Sequence, residues 1–386
     1  MLASNGPFLR HALISTGKKD WPHDITEVRG SLAHWFSEFA AKDAEEAEAQ
    51  QAAKAEDTAT GSKDGRSPPD LPKGCWQTTG PSAPARVLAG NSSHVSNSRH
   101  HHGQSVLLFP DWVMLSDVCD GSGTGGDEEE SQKRETEQVW QKMIAGDAPR
   151  QTIAKPPARR WVLPYSAVIV LCSHNKRDAR CGIAAPMLAE VFRRCAEADG
   201  WTVDFKGEEM GDHSGTSSSS SDVDSKEGTT DFDEDGLTKN KSWGYISHSS
   251  SAPSSPEQQV QAWRRRAAAN QHRHHHHSDD QGSQRHATPT PSLGIFYTSH
   301  IGKHAWAGNV IVYFPNGAGV WYGRVDPLKG AGRVWQQTVR QGRVIPEYLR
   351  VGINLYRGSG DEEDAAQVKR ESGTAVDGEL GGILRW

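Results

Sequence analysis

The chain has 386 residues, of which 35% are hydrophobic and 24% charged, with a formal net charge of −6. A mildly acidic balance argues against a general nucleic-acid binder, which needs a concentrated basic face, and no run of about 18 apolar residues offers a membrane span. Five cysteines at irregular spacing make no disulfide framework, so a reducing compartment and metal-binding or catalytic thiols are expected.

The opening MLASNGPFLRHALIS lacks both the apolar core of a secretory signal and an Arg-rich amphipathic leader. RHALIST (10–16) reads as a strand, SLAHWFSEFA (31–40) as an amphipathic helix and SVLLFPDWVML (105–115) as a second strand. Between them, residues 39–74, 91–103 and 119–136 are alanine-acidic, Ser/His-rich and Gly/Glu-rich. Such stretches cannot bury enough apolar surface to offset the entropy of ordering them, and read as disordered insertions. VLPYSAVIVLC (162–172) is a buried strand. GIAAPMLAEVFRRCAEADG (182–200) is a helix with Ile183, Met187, Leu188, Val191, Phe192 and Cys195 on its apolar face, ended by Gly200. WTVDF (201–205) is a further strand. The largest polar segment, 207–291, holds SGTSSSSSD and HRHHHH; its His runs could bind metal weakly, but polar low complexity is the plainer reading. GIFYTSH, NVIVYF and GVWYGRV follow as strands, the last two joined through PNGA as a hairpin, and Asp326–Pro327 starts a last helix.

This order predicts an α/β protein: a thioredoxin-like domain, a mixed sheet with packed helices, over 161–355 with insertion 207–291. A smaller α/β region precedes it over 1–160, and a flexible tail follows over 356–386.

The chemistry concentrates in two stretches. In LCSHNKRDARCG (171–182), Cys172 leaves the end of a strand and Cys181 stands just before a helix. A helix N-terminus favours anions, so thiolates are stabilised there, and Lys176, Arg177 and Arg180 add positive charge. In TSHIGKHAWAGNVIVYF (298–314), His300 and His304 stand four apart at the end of a strand. Together they form a Cys2His2 set. A thioredoxin-type redox pair would be spaced C-x-x-C, and structural zinc pairs its cysteines two to four apart. The wider loop suits an iron–sulfur cluster as well as zinc, and spacing alone leaves both open.

The strings CSHNKRDARCG and SHIGKHAWAGNVIVYFPNGAGVWYGRV, with HALISTGKKDWP and SVLLFPDW upstream, resemble the sucrase/ferredoxin-like family. The likeness covers most of the patterned sequence and none of the four low-complexity segments. It implies a thioredoxin-like ferredoxin domain holding a 2Fe–2S cluster through two cysteines and two histidines. The matching positions are Cys172, Cys181, His300 and His304. The long insertion between the ligand pairs departs from a minimal domain, as does Lys303, where a second glycine is common. Two neutral imidazoles in place of two thiolates would make the oxidised cluster neutral and raise its potential above that of an all-cysteine ferredoxin. The implied job is one-electron transfer, a carrier more than a catalyst.

Cys195 is expected in the core, Cys75 and Cys119 flank polar segments, and His174 is expected to be solvated within the ligand loop. Asn309 and Trp306 are expected to shape the turn and cover the cluster. STGKKDW (15–21) lacks the upstream glycine of a phosphate loop. Two other functions stay open: a zinc-stabilised interaction module, and a thiol oxidoreductase with Cys172 or Cys181 as nucleophile and His300 as base. The redox partner is not named by the residues; nucleic acid and membrane are not expected. The terminal LRW offers Trp386 as a handle for the cytosolic iron–sulfur assembly machinery. A cytosolic address is expected, with mitochondria the alternative.

Overall fold

The computed structural model describes residues 2–57, 71–80, 82–98, 103–119, 126–146, 156–210, 290–301, 304–357 and 384–385. The chain opens with β1 (Arg10–Ser15), fully buried along its length. Helix α1 (Leu32–Asp57) follows, then β2 (Cys75–Trp76), β3 (Val87–Ser92), β4 (Gly103–Phe109) and β5 (Val113–Cys119). Helix α2 (Gly126–Val139) runs into a π-helical turn at Trp140–Ile144, and β6 (Arg159–Val162) closes the N-terminal half.

The second half begins with β7 (Ala167–Cys172), α3 (Ala179–Ala198) and β8 (Thr202–Asp204). After residue 289 come β9 (Ser292–Thr298) and the hairpin of β10 (Val310–Tyr313) and β11 (Gly319–Tyr322). Helix α4 (Gly330–Arg333) continues as a π-helical stretch Val334–Arg340; β12 (Leu349–Ile353) and β13 (Tyr356–Arg357) follow, and β14 (Leu384–Arg385) pairs antiparallel with β13.

One mixed sheet of twelve strands takes in strands from both sides of residue 160, in the order β2-β12-β11-β10-β7-β9-β3-β1-β4-β5-β6, with β8 also on β9. Within it, β9-β7-β10-β11 has the order and directions of a thioredoxin-like sheet. β7 and β9 are parallel, while β10 runs antiparallel to β7 and to β11. β3 meets β9 at Ser92 and Thr298, and β2 joins the far edge on β12.

The period of two along β7 sorts its side chains between two layers. Ala167, Ile169 and Leu171 pack with Leu188, Ala189 and Phe192 of α3 and with Trp335. Val168, Val170 and Cys172 point into an aromatic layer holding Phe8, Trp76, Phe109, Tyr313 and Trp321. A third cluster, Trp35, Phe36, Phe39 and Trp140 against Ile14, Leu108 and Leu115, seats α1 and the π-helical turn on the N-terminal strands. Emptying one such position, Phe192→Ala for instance, costs about 3–5 kcal/mol.

Several expectations need correction. Residues 39–57, read as disordered, continue α1 to Asp57. Ala, Glu, Gln and Lys are strong helix formers, so a composition too polar for a core still forms a solvated helix once Trp35, Phe36 and Phe39 anchor its first turns. Residues 126–136 of the Gly/Glu-rich segment belong to α2, whose Asp127, Glu128 and Glu129 complement the helix dipole. Asn91 and Ser92 of the Ser/His-rich segment lie in β3, and Glu208–Met210 forms a 3₁₀ turn. SVLLFPDWVML is two strands, because Pro110 cannot donate to the ladder and the chain turns there. On α3, Ile183 and Met187 are 64% and 47% exposed. Leu188 and Phe192 of the expected face are buried, together with Cys181, Ala185, Ala189 and Ala196. Residues 58–70, 99–102, 120–125, 211–289 and 358–383 and Trp386 lie outside the described residues.

Candidate metal centre

Three elements end at one corner of the sheet. β7 delivers Cys172 as its last residue, and β9 runs beside it, in parallel, with Thr298 opposite Cys172. Both chains therefore leave the sheet together, one into the loop 173–178 and the other into Ser299 and His300. Asp178 turns the first of these back into α3 by accepting a hydrogen bond from the Arg180 backbone N–H at 3.0 Å. Cys181 then falls in the first helical turn.

The Sγ atoms of Cys172 and Cys181 and a ring nitrogen of His300 lie within 4.8 Å of one another. Cys172 Sγ is 3.9 Å from His300 Nδ1. Both cysteines are buried, and His300 is half-buried at the opening. His304 begins the 3₁₀ turn His304–Trp306. Its side chain, like residues 302 and 303, lies outside the described residues.

The thiol of Cys172 is held well below the ordinary thiol range. The Cys181 thiol bonds to it, the His300 ring and the Ile301 backbone N–H add to this, and together they outweigh the cost of burial. Cys181 is pushed up in turn, first by donating to Cys172 and then by burial. A metal takes the thiolate form of cysteine, so a bound cation would hold both sulfurs deprotonated.

His174 is buried, not solvated, at 1% exposure. Its Nε2 faces the carbonyls of Trp21 and Pro22 at 3.1 and 2.9 Å, so that nitrogen carries the proton. Its Nδ1 is then free to accept the His300 backbone N–H at 3.1 Å. His174 therefore ties the loop 21–22 to the backbone of His300. Burial lowers its pKa.

Below the site lies Arg350 of β12, fully buried. It donates to Asn309 Oδ1, to the Ile301 carbonyl and, at 2.8 Å, to Ser4 Oγ. Desolvation lowers its pKa to about 10, opposed by the charges of Cys172 and Cys181, so it stays a cation at neutral pH. Arg350 is the buried positive charge of the site. Among the loop cations expected to play that part, Arg180 pairs with Asp178 at 2.9 Å and Arg177 with Asp24 at 4.0 Å. Asn309 spends its side chain on Arg350, and Trp306 lies half-buried beneath the Arg324 guanidinium, 4.7 Å from the ring centroid.

His174 was within reach of sequence reading, since it stands two residues from Cys172. Arg350 was not: it sits in an apolar run 46 residues beyond His304, and only the pairing of β12 with β11 brings it under the corner. The remaining described cysteines play no part here. Cys195 is half-buried at the edge of the core and Cys75 sits on the edge strand β2. The Cys119 side chain lies outside the described residues.

A mixed α/β sheet whose strand ends gather two thiols and an imidazole defines an α/β protein with a Cys/His group suited to a metal. The chain belongs to the sucrase/ferredoxin-like family, whose model matches residues 1–351. It is similar to the altered inheritance of mitochondria protein 32 of three yeasts. The protein from Clavispora lusitaniae is 50% identical over 52 residues, which are 14% of this chain and 19% of the relative. That from Debaryomyces hansenii is 54% identical over 55 residues, 14% and 19% of the two chains. That from Meyerozyma guilliermondii is 49% identical over 57 residues, 14% and 20%. The aligned stretch thus spans about a fifth of each relative's length. No solved structure matches.

Proposed function

We propose that this protein is a one-electron carrier holding a 2Fe–2S cluster through Cys172, Cys181, His300 and His304. The observation that carries the reading is the convergence of Cys172, Cys181 and His300 to within 4.8 Å at one strand end. The donor set fits: thiolate and imidazole are the ligands of mixed Cys/His iron–sulfur centres, and Cys172 is already biased to thiolate. When bound, the cluster supplies a single-electron redox couple. The chain's own contribution is to hold the two sulfurs buried and apart from water, to fix the His300 backbone through His174, and to keep the Arg350 cation beneath them. A nearby buried cation favours the electron-rich state of the centre.

Zinc is the second reading, because ligand atoms this close also suit one tetrahedral ion with bonds of about 2.0–2.3 Å. The visible spectrum and metal content of aerobically purified full-length protein separate the two. A cluster is expected as broad absorption beyond about 400 nm with iron equal to sulfide. A colourless protein with one zinc would overturn the carrier reading, and a colourless, metal-free protein would favour thiol chemistry.

For compartment we propose the cytosol, where thiols stay reduced. The relatives' name, altered inheritance of mitochondria protein 32, makes mitochondria the second address. Among the described residues no helix is long and apolar enough to cross a membrane. Fractionation of cells expressing the full-length protein distinguishes the two compartments.

A further inference from the structure

We propose that the corner carrying Cys172, Cys181 and His300 is the docking face for an acidic electron-transfer protein. The inference rests on the carrier reading and adds the chemistry of the partner.

Charge is the first support. The loops 16–24, 172–182 and 324–329 surround the corner and carry seven lysines and arginines against four aspartates, in a chain whose formal charge is −6. The first loop is packed on the second. Ser173 Oγ donates to the Lys19 carbonyl at 2.7 Å, and the Lys176 backbone N–H donates to Asp20. The third packs on Gly308, just past the His304–Trp306 turn, with Val325 N–H donating to the Gly308 carbonyl at 3.1 Å.

All four aspartates accept backbone N–H groups within their own neighbourhood. Asp20 takes that of Lys176, Asp24 that of Thr26, Asp178 that of Arg180, and Asp326 that of Leu328. Lys18, Lys19, Lys176 and Arg324 are exposed and form no ion pair among the described residues. Each carboxylate is tied to a backbone N–H, Asp326 while still exposed, and these cations face water. The corner is therefore positive on a negative protein, and opposite charges steer encounter and orient partners.

The second support is apolar surface at the same place. The exposed face of α3 changes character along its length. Near Cys181 it presents Ile183 and Met187, while further on Glu190, Arg193, Arg194 and Glu197 are locked in ion pairs of 2.5–2.7 Å. Leu328, 84% exposed, stands in the loop 324–329. A small apolar centre with a charged rim is the anatomy of a transient interface, which buries less than about 1,200 Å².

Two measurements test this on the full-length protein. In the first, the reduced protein is oxidised by anionic ferricyanide or by cationic tris(1,10-phenanthroline)cobalt(III) at increasing salt. A positive corner makes the ferricyanide rate fall at least about threefold between roughly 10 and 200 mM salt and the cobalt rate hold or rise, the opposite of what the net charge dictates. Lys18→Glu with Lys19→Glu and Lys176→Glu should reverse the sign. Lys42→Glu with Lys133→Glu and Lys142→Glu, on α1, α2 and the turn Trp140–Ile144, should leave it unchanged.

The second measures equilibrium binding to an acidic plant-type ferredoxin by calorimetry and needs no cluster in this protein. Affinity should fall about tenfold or more in Ile183→Asp and across the same rise in salt. A protein without iron or colour would sink the carrier reading alone. A coloured protein whose ferricyanide rate rises with salt, or whose site and remote triple variants behave alike, would overturn the docking face. So would ferredoxin binding indifferent to Ile183→Asp.

Discussion

Two regions of this molecule bury ionisable side chains, and they treat them in opposite ways. At the corner, Cys172 is almost wholly buried yet its thiol is held well below the ordinary range, because Cys181, His300 and the Ile301 N–H all point at it. At the far edge, Cys75 on β2 is half-buried against the core, and desolvation, opposed by a hydrogen bond with the Gly352 backbone, raises its pKa to about 11. The histidines differ in partners and not in direction, since burial lowers the pKa of all three. His174 has both ring nitrogens matched at the corner. His11 and His94 lie fully buried in the N-terminal half, and desolvation drives the pKa of each to about 3. Burial by itself favours the neutral form; donors aimed at a buried thiol favour the thiolate.

The largest effect that would break this contrast is loss of the centre. Cys172→Ala should abolish bound iron and sulfide, whereas Cys75→Ala should leave both at the parental level, as measured by metal analysis of purified protein. Equal iron in the two variants would erase the distinction.

Acid stability comes next. The folded state holds His11 and His94 neutral, while an unfolded chain takes up protons below about pH 6.5, so the unfolded state binds more protons and stability falls as pH falls from there toward about 3. Between pH 8 and pH 5 the two should together cost roughly 3–4 kcal/mol, read as a drop in the urea midpoint. Cys75 acts at the other end. Its raised pKa leaves its contribution intact below about pH 9 and removes about 2 kcal/mol as pH rises toward 11. Cys75→Ala should flatten that alkaline limb.

His174→Phe sharpens the comparison within the corner. It removes the acceptor of the His300 N–H and the donor to the carbonyls of Trp21 and Pro22. Metal affinity should fall about 10- to 100-fold, as for other partners that orient a ligand. An unchanged affinity, measured by chelator competition, would reduce His174 to packing. The smallest shift is expected from His304→Cys: the centre should persist with a lower potential and a weaker pH dependence, because a charge replaces a neutral, protonatable ring. Potentials from pH 6 to 9 that superimpose on the parent would remove His304 from the ligand set.

Much of this was legible in the chain itself. The apolar run ending in Cys172, the helix ended by Gly200 and the PNGA hairpin follow from local periodicity and turn chemistry, which a linear reading detects. The α/β class follows from their order. Cys172, Cys181 and His300, singled out in the chain, meet at the corner, while the choice of metal was not legible from their spacing. What a linear reading could not weigh was context. Residues 39–57 have a composition that suits both a disordered segment and a solvated helix, and only aromatic anchors in three dimensions choose between them. The exposure of Ile183 and Met187 depends on which side of α3 meets the sheet, and an amphipathic pattern with apolar residues on more than one face does not state it. Arg350 and the buried role of His174 come from the pairing of β12 with β11 and from the packing of the loop 16–24 over the loop 173–178. Local sequence sets which segments become strands and helices, because propensity and turn chemistry act over a few residues. Which charge lies beneath the thiols is a matter of strand order, and strand order is decided by contacts between residues far apart in the chain.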